Sequence, residues 1–579
     1  MLEAHAIDLF QKALLFEKKG NRLRACEYYE TLLQHFPNRP SVIINLTANH
    51  IALENYSRLE ELLPELELID EPMAHLNAGT IHYKANRRPE ALKQFEKAFD
   101  LDPTNREILR SLAVCLFKLK RPRKAAEFAE QLANITQSPT DYGRASYYYA
   151  SACDWENELR IRASKEVSFP FFGIARNQYE HENLDEAVRY APSVNEGDFP
   201  KNISNTRALN SSPNKLRIGY LCGEFREHAT LKLLISVLEL HDQSKFDIFY
   251  FDNGFTDEST YRARLEATNG SIINIYDKTD TEVQTEIKKL GIDILINLNG
   301  YFGNGRTSIF FQRAAPVQVS YLGYPATLGH PSIDYIIADS TTIPHENEHF
   351  FIEKIYRISL GYQPNDLKRP HVRSIDRDKY KLPNDSFLFC CLNNTYKITK
   401  KMFETWATIL KRSPKSILLL LADNDDARTN LLASARALGV SEQIKFIIRL
   451  PTLDYIEVLS VCDLFLDTSP YNAHTTATDA LWAGTPILTM PGNTFPSRVG
   501  LSLLRRTNID ESLYVSINYD DYADKAVFLA TNPEINRECK RLLASKVKRE
   551  GGFIDMNAYT RELEQAFTYM YSSHQKEYR

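Results

Sequence analysis

The chain has 579 residues, 43% apolar and 25% charged, with 70 lysines and arginines against 75 aspartates and glutamates. That length suits about three to four domains, and the apolar share suffices for packed cores, which excludes wholesale disorder. A net charge of −5 gives no overall electrostatic case for binding nucleic acid or an anionic membrane. No apolar run reaches the roughly 18 residues of a membrane span, and the opening MLEAHAIDLF lacks the shape of a signal peptide. The eight cysteines form no CxxC pair, so they read as buried reduced thiols, neither a disulfide frame nor a zinc site. These features are expected of a soluble, multidomain, cytoplasmic protein.

Residues 1–139 read as helical repeats. In LNAGTIHYKANRRPEALKQFEKAFDLDP (76–103), Gly79, Ala91, Phe95 and Ala98 hold small or apolar positions, and Pro103 closes the unit. These are the offsets of a tetratricopeptide repeat, whose small residues let two antiparallel helices approach. A shift of 34 residues lands on Ala113, Ala125 and Ala129, and a backward shift of 66 on Ala13, Ala25, Tyr29, Leu32 and Pro37. The unit between, about 40–71, is degenerate. The apolar stripes are first of all core. A solenoid of such units also offers a surface that commonly takes a polypeptide. Further helical text fills 140–191, and the Pro-, Ser- and Asn-containing stretch 192–214 reads as a linker.

From residue 215 short apolar runs alternate with helical stretches. LRIGYL (216–221), FDIFYF (246–251), IDILIN (292–297), VQVSY (317–321) and YIIA (335–338) form one set of strands. FLFCCL (387–392), SILLLL (416–421), IKFII (444–448), LFL (464–466) and ILT (487–489) form a second. The pattern predicts two parallel sheets covered by helices, hence two Rossmann-like lobes over 215–369 and 370–579, divided near LKRPHVRSIDR. Ligands of such sheets lie at the carboxyl ends of the strands, so the cleft between the lobes is the expected site. A GxGxxG after the first strand and a Walker A sequence are both absent.

Chemistry concentrates in two segments. LFLDTSPYNAHTTATDALWAGTPILT (464–489) reads as strand, loop and a helix opening at His474, Thr475 and Thr476. A helix N-terminus with two hydroxyls suits a diphosphate, although on spacing alone the threonines serve equally as helix caps. Asp479, one turn inside, is placed to accept from ribose hydroxyls. In CCLNNTYKITKKMFETW (390–406), Asn394 ends a strand and Lys397 precedes a helix, where its charge can meet a departing phosphate or simply face solvent. His228 lies in the loop after the first strand, as a candidate proton-handling group or a structural one.

NNTYK, LDTSPYNAHTTATDALWAGTPILTMPG, VQVSYLGYPAT and the preceding repeats together resemble the O-GlcNAc transferase family, glycosyltransferase family 41, including its SPINDLY-like bacterial members. The resemblance covers nearly the whole chain. It implies an α-helical solenoid followed by a GT-B fold, in which two Rossmann-like domains face a cleft. It also implies inverting transfer without a metal or other cofactor. By position, Lys397 matches the lysine on the diphosphate, and Asn394 stands where animal enzymes have glutamine. His474, Thr475 and Thr476 match the diphosphate-binding helix start, Asp479 the ribose carboxylate and His228 an active-site histidine. Leu322, Gly323 and Pro325 match the loop beside the sugar. Tyr455 replaces a histidine against the base, Thr452 a lysine, Tyr471 a cysteine near the sugar and Ala473 a glycine. Asp293 falls near a family histidine whose role does not transfer.

The implied activity is transfer of GlcNAc from UDP-GlcNAc to Ser/Thr hydroxyls of a polypeptide held by the repeats, with His228 and Lys397 catalytic. GDP-fucose or UDP-glucose as donor, a glycan or small-molecule acceptor, and a repeat scaffold with an inactive transferase are the alternatives. The resemblance also admits a homodimer.

Overall fold

A computed structural model describes residues 2–37, 39–53, 55–193, 215–370, 376–550 and 553–577. Most of the expected linker (194–214) and part of the expected division between the lobes (371–375) lie outside the described residues. The chain forms two compact units, Met1–Val167 with Asn424–Asp426, and Ser168–Asp423 with Ala427–Arg579.

The first unit is a stack of antiparallel helix pairs. Leu2–Lys18 pairs with Arg22–His35, Pro40–Ala52 with Tyr56–Leu66, Pro72–Lys84 with Arg88–Leu101, and Arg106–Lys118 with Pro122–Thr136. The degenerate stretch 40–71 thus forms a regular pair. A fifth pair, Pro139–Ser151 with Trp155–Ser164, continues the stack into the expected additional helical region. Ala91, Phe95, Ala98, Ala113, Ala125 and Ala129 are all buried in one core cluster. The turns inside four of the pairs place Gly20, Asn86, Lys120 and Cys153 at positive φ. Gly79 is demanded by close approach, because a Cβ there would lie 2.5 Å from the Phe95 ring.

The second unit holds two parallel sheets. Leu216–Cys222 (β1), Phe246–Asp252 (β2), Ser271–Asn274 (β3), Ile294–Asn297 (β4), Val317–Ser320 (β5), Tyr335–Ala338 (β6) and Lys354–Arg357 (β7) make the first, in order β3-β2-β1-β4-β5-β6-β7. Phe387–Cys391 (β8), Ser416–Leu421 (β9), Ile444–Ile447 (β10), Leu464–Leu466 (β11) and Ile487–Leu488 (β12) make the second, in order β10-β9-β8-β11-β12. All ten expected strands are present, within a residue or two of the expected limits. β3 and β7, which the sequence reading did not mark, are edge strands of the first sheet. Their exposed or half-buried residues (SIIN and KIYR) lack the continuous apolar run of a central parallel strand. Strand order reverses between β1 and β4 and between β8 and β11, and the carboxyl ends at such points leave room for a ligand.

Two segments tie these lobes together. The final helix, Met556–Glu577, returns to the first lobe and packs on β5 and on the helix Ala229–Leu240. There Tyr559 Oη lies 2.6 Å from Tyr321 Oη and donates to the Tyr362 carbonyl at 2.7 Å, and Glu564 accepts from the Asp242 amide at 2.7 Å. Residues 168–190 lie against both lobes. Glu180 accepts from the Phe495 amide at 2.8 Å, and Gly329 sits so close to Ala187 that a Cβ would meet backbone at 2.5 Å.

The tight Gly79–Phe95 approach gives a direct check on the solenoid. Gly79→Val is expected to cost about 1–3 kcal/mol through overpacking, read as a lowered denaturation midpoint of the repeat unit. An unchanged midpoint would contradict the close helix packing described.

Candidate active site

The second lobe's part of the site is assembled where β8, β11 and the helix Thr475–Trp482 converge. Two residues beyond β8, the Asn393 side-chain amide donates to Thr468 Oγ1 at 2.9 Å, and its side-chain oxygen accepts from Thr476 Oγ1 at 2.5 Å. One asparagine thereby joins the loop after β8, the loop after β11 and the first turn of the helix Thr475–Trp482. Asp467, at the end of β11, accepts from the backbone amides of Thr468 (2.8 Å) and Ala473 (2.6 Å) and from Thr489 Oγ1 (2.6 Å). These bonds curl residues 467–474 into the turn that delivers His474 to the helix start.

Lys397 follows from the 3-10 turn Thr395–Lys397. Its Nζ donates to the Asn472 carbonyl at 2.8 Å and sits 3.7 Å from the centre of the Tyr471 ring, a cation–π contact. Burial pulls the Lys397 ammonium down to about 7 even though Asp467 opposes the shift, and burial pushes the Asp467 carboxyl up to about 7. Each charge therefore sits in a site too dry for it, which an arriving anion would remedy for the lysine. His474 stays neutral: burial, and then the charge of Lys397, holds it well below its usual range, and its Nε2 is 3.1 Å from the Pro496 carbonyl.

The first lobe supplies the facing wall. His228 caps the helix Ala229–Leu240, with Nδ1 accepting from the Thr230 amide at 3.3 Å and the ring stacked on Phe302 at 5.5 Å. Burial, then the positive charges of Arg226, Arg449 and Lys232, lower it to about 3. With Nδ1 accepting, the ring proton lies on Nε2, so this histidine is a hydrogen-bond donor and a very weak base. Leu322 adopts φ +72° and Gly323 follows it. A Cβ on Gly323 would fall 1.9 Å from the Leu298 carbonyl oxygen, so that loop position admits only glycine.

These residues enclose a cavity of about 180 Å³. His228, Leu322, Gly323, Asn394, Lys397, Tyr471, His474, Thr475 and Thr476 all line it. Pro325, Tyr455 and Asp479 do not line it. Asp479 is instead held in an ion pair by Arg369. Thr452, expected to leave one charge missing, receives Lys232 Nζ at 2.8 Å from the opposite lobe, and it donates to Glu227 at 2.5 Å. An ammonium therefore does reach that point, from the other side of the cleft. Asp293 accepts from the Arg217 amide at 2.9 Å at the amino end of β4, opposite the cavity, in keeping with a structural part.

Several wall residues escaped the sequence reading. Gln363 donates to Thr478 Oγ1 at 2.5 Å, and Phe302 and Phe171 face each other at 5.1 Å. Phe171 comes from the 168–190 stretch, so part of the expected additional helical region belongs to the site. Its aromatic cluster FPFFG was the one local signal. Asp467, Arg369 and Gln363 carried none, because their meaning comes from distant partners.

The profile of glycosyl transferase family 41 matches residues 199–369 and 361–563. The chain belongs to glycosyltransferase family 41. Tetratricopeptide-repeat profiles match residues 9–39 and 76–142 of this family 41 chain. It is 33% identical over 368 residues to the Arabidopsis thaliana protein assigned as UDP-N-acetylglucosamine–peptide N-acetylglucosaminyltransferase SEC, covering 62% of this chain and 37% of that one. It is 30% identical over 337 residues to the Arabidopsis thaliana protein assigned the same activity under the name SPINDLY, covering 56% and 36%. The chain thus spans little more than a third of these relatives' length. A solved structure of a lysine-to-methionine mutant of Thermobaculum terrenum O-GlcNAc transferase superposes with a TM-score of 0.70 at 23% identity, covering 100% of this chain and 99% of that one. That likeness shows the fold, a helical repeat array followed by the GT-B pair of lobes.

The buried lysine yields a pH dependence with a defined sign. Its ammonium form dominates below about 7, so pyrophosphate affinity is expected to fall as pH rises through that value. At pH 8 binding should take up a proton, read by isothermal titration in two buffers of different ionisation heat. Lys397→Met should abolish the uptake. Binding at pH 8 with no proton uptake in the unaltered chain would contradict the lysine's role as the anion's partner.

Proposed function

We propose that this family 41 chain transfers GlcNAc from UDP-GlcNAc to Ser or Thr hydroxyls of a polypeptide, with inversion at the anomeric carbon. The observation that carries the reading is the meeting, in one cavity, of a buried lysine and a helix N-terminus on one wall with a hydrogen-bonding histidine on the other. The donor and the peptide acceptor are supported by the activity for which the SEC and SPINDLY relatives are named. The stacked helix pairs support a polypeptide acceptor further, because such arrays offer a long surface for an extended chain.

In this reading the acceptor oxygen forms a bond to the anomeric carbon as the bond to the diphosphate breaks. Negative charge grows on the leaving group beside Lys397, the Thr475 and Thr476 hydroxyls and the helix N-terminus, all fixed before the reaction. His228 acts as a donor from Nε2 that orients substrate oxygens, because its Nδ1 is engaged and its basicity suppressed. The hydroxyl proton passes to a phosphate oxygen of the leaving group, which becomes more basic as it departs.

Mass spectrometry of peptides incubated with the chain and UDP-GlcNAc, GDP-fucose or UDP-glucose tests donor and acceptor together. A mass gain of one N-acetylhexosamine with UDP-GlcNAc alone is expected, and Lys397→Met should lower the rate by about 100-fold or more. Modification with another donor would reassign the sugar. Nucleotide binding with neither transfer nor donor hydrolysis would leave only the scaffold. His228→Asn is expected to slow transfer while leaving the pH profile between 5.5 and 8 unchanged. A fall in rate toward acid pH that disappears with the histidine would instead make it the general base.

A further inference from the structure

Arg369 lies in the segment joining the two lobes, with its charge only partly answered. Its side chain is 3% exposed, and Nη1 pairs with Asp479, one turn inside the helix Thr475–Trp482. Nε and Nη2 have no hydrogen-bond partner among the described residues, and neither has the buried Tyr455 hydroxyl. Tyr455 and Arg369 are close enough that each influences the other's charge. The neighbouring carboxylate Asp366 is already engaged, taking Arg264 at 2.7 and 2.8 Å and the Ser236 hydroxyl at 3.0 Å. The backbone next to Arg369 is pinned as well, since the Pro370 carbonyl accepts from Trp482 Nε1 at 2.9 Å. Buried donors without partners are uncommon and costly, a guanidinium's above all, and such a set persists where a ligand completes it.

We propose that Arg369 binds the carbonyl-bearing edge of the donor nucleotide's base. The inference rests on the reading that Lys397 and the helix start hold the diphosphate. From there a nucleotide runs past Asp479 with its ribose, and its base arrives beside Arg369 and Tyr455. The two unanswered groups, Nε–H and Nη2–H, leave one side of the guanidinium together and can only donate. Uracil answers with a carbonyl oxygen, and guanine with a carbonyl oxygen next to a ring nitrogen, an arrangement that guanidinium groups grip with two bonds. Cytosine and adenine present an amino group at the equivalent place, a donor against a donor. The Tyr455 hydroxyl supplies a second polar contact to the same base. Arg369 is thus a specificity-determining residue that selects a keto base over its amino counterpart.

Isothermal titration of the full chain with UDP, CDP, GDP, ADP and pyrophosphate tests this. In the unaltered chain, UDP should bind at least about tenfold tighter than CDP, or GDP than ADP, and whichever pair shows it names the donor's nucleotide. Arg369→Lys, which keeps the charge but loses the fork, and Arg369→Met should reduce the keto nucleotide to the affinity of its amino counterpart and leave pyrophosphate binding unchanged. CDP equal to UDP together with ADP equal to GDP in the unaltered chain overturns the proposal without any variant. A variant that loses pyrophosphate equally also overturns it, because Arg369 would then support the site as a whole. Absence of both nucleotide and pyrophosphate binding would instead defeat the diphosphate reading, a failure distinct from retained pyrophosphate binding with no choice of base.

Discussion

The buried ammonium of Lys397 is the constraint around which the second lobe's end of the cavity is built. A charge removed from water must be solvated by the protein, and here the solvating groups are the Asn472 carbonyl, the face of Tyr471 and the carboxylate of Asp467. Asp467 in turn needs donors of its own and takes them from Thr468, Ala473 and Thr489. The turn drawn in by those donors ends at His474, so the same electrostatic requirement sets where the helix Thr475–Trp482 begins. Burial draws lysine and carboxyl toward neutrality. An anion bound there would relieve the lysine's side of that tension, which would tie the strength of anion binding to the dryness of the site.

The first lobe contributes orientation more than charge. His228 is locked as a helix cap and stripped of basicity, and Gly323 lets the loop after β5 press against the Leu298 carbonyl. Its placement opposite Lys397 depends on contacts that cross the cleft. Lys232 reaches Thr452, Tyr559 bonds to Tyr321 from the returning final helix, and the strap of residues 168–190 packs against both lobes. Such a division of labour suits the proposed reaction, in which a leaving group needs a fixed field of donors and an acceptor needs a surface that aligns it. Under the proposal made for it, Arg369 would add a third duty, a fork of donors that examines the base away from the bond being broken.

Much of the fold was legible because its signals are local. A central parallel strand buried on both faces must be a continuous apolar run, so β1, β6, β9 and β11 could be read directly, whereas the edge strands β3 and β7, half in water, carry no such run. Repeat offsets such as Gly79, Ala91 and Phe95 register the distance between two adjacent helices. A degenerate unit could still pair regularly because its partners supply the face it must cover.

The sequence by itself determined the succession of elements, the family resemblance and the residues that carry their chemistry within one turn of chain: Lys397 after its strand, Thr475 and Thr476 at their helix start, His228 at its cap. Only the tertiary structure decided the protonation tendencies of those groups, the arrival of Lys232 where Thr452 lacks a charge, the place of Phe171 in the wall and the half-answered guanidinium of Arg369. The reason is physical. Propensity, periodicity and capping act between neighbours along the chain, while burial and charge pairing are sums over groups that only folding brings together.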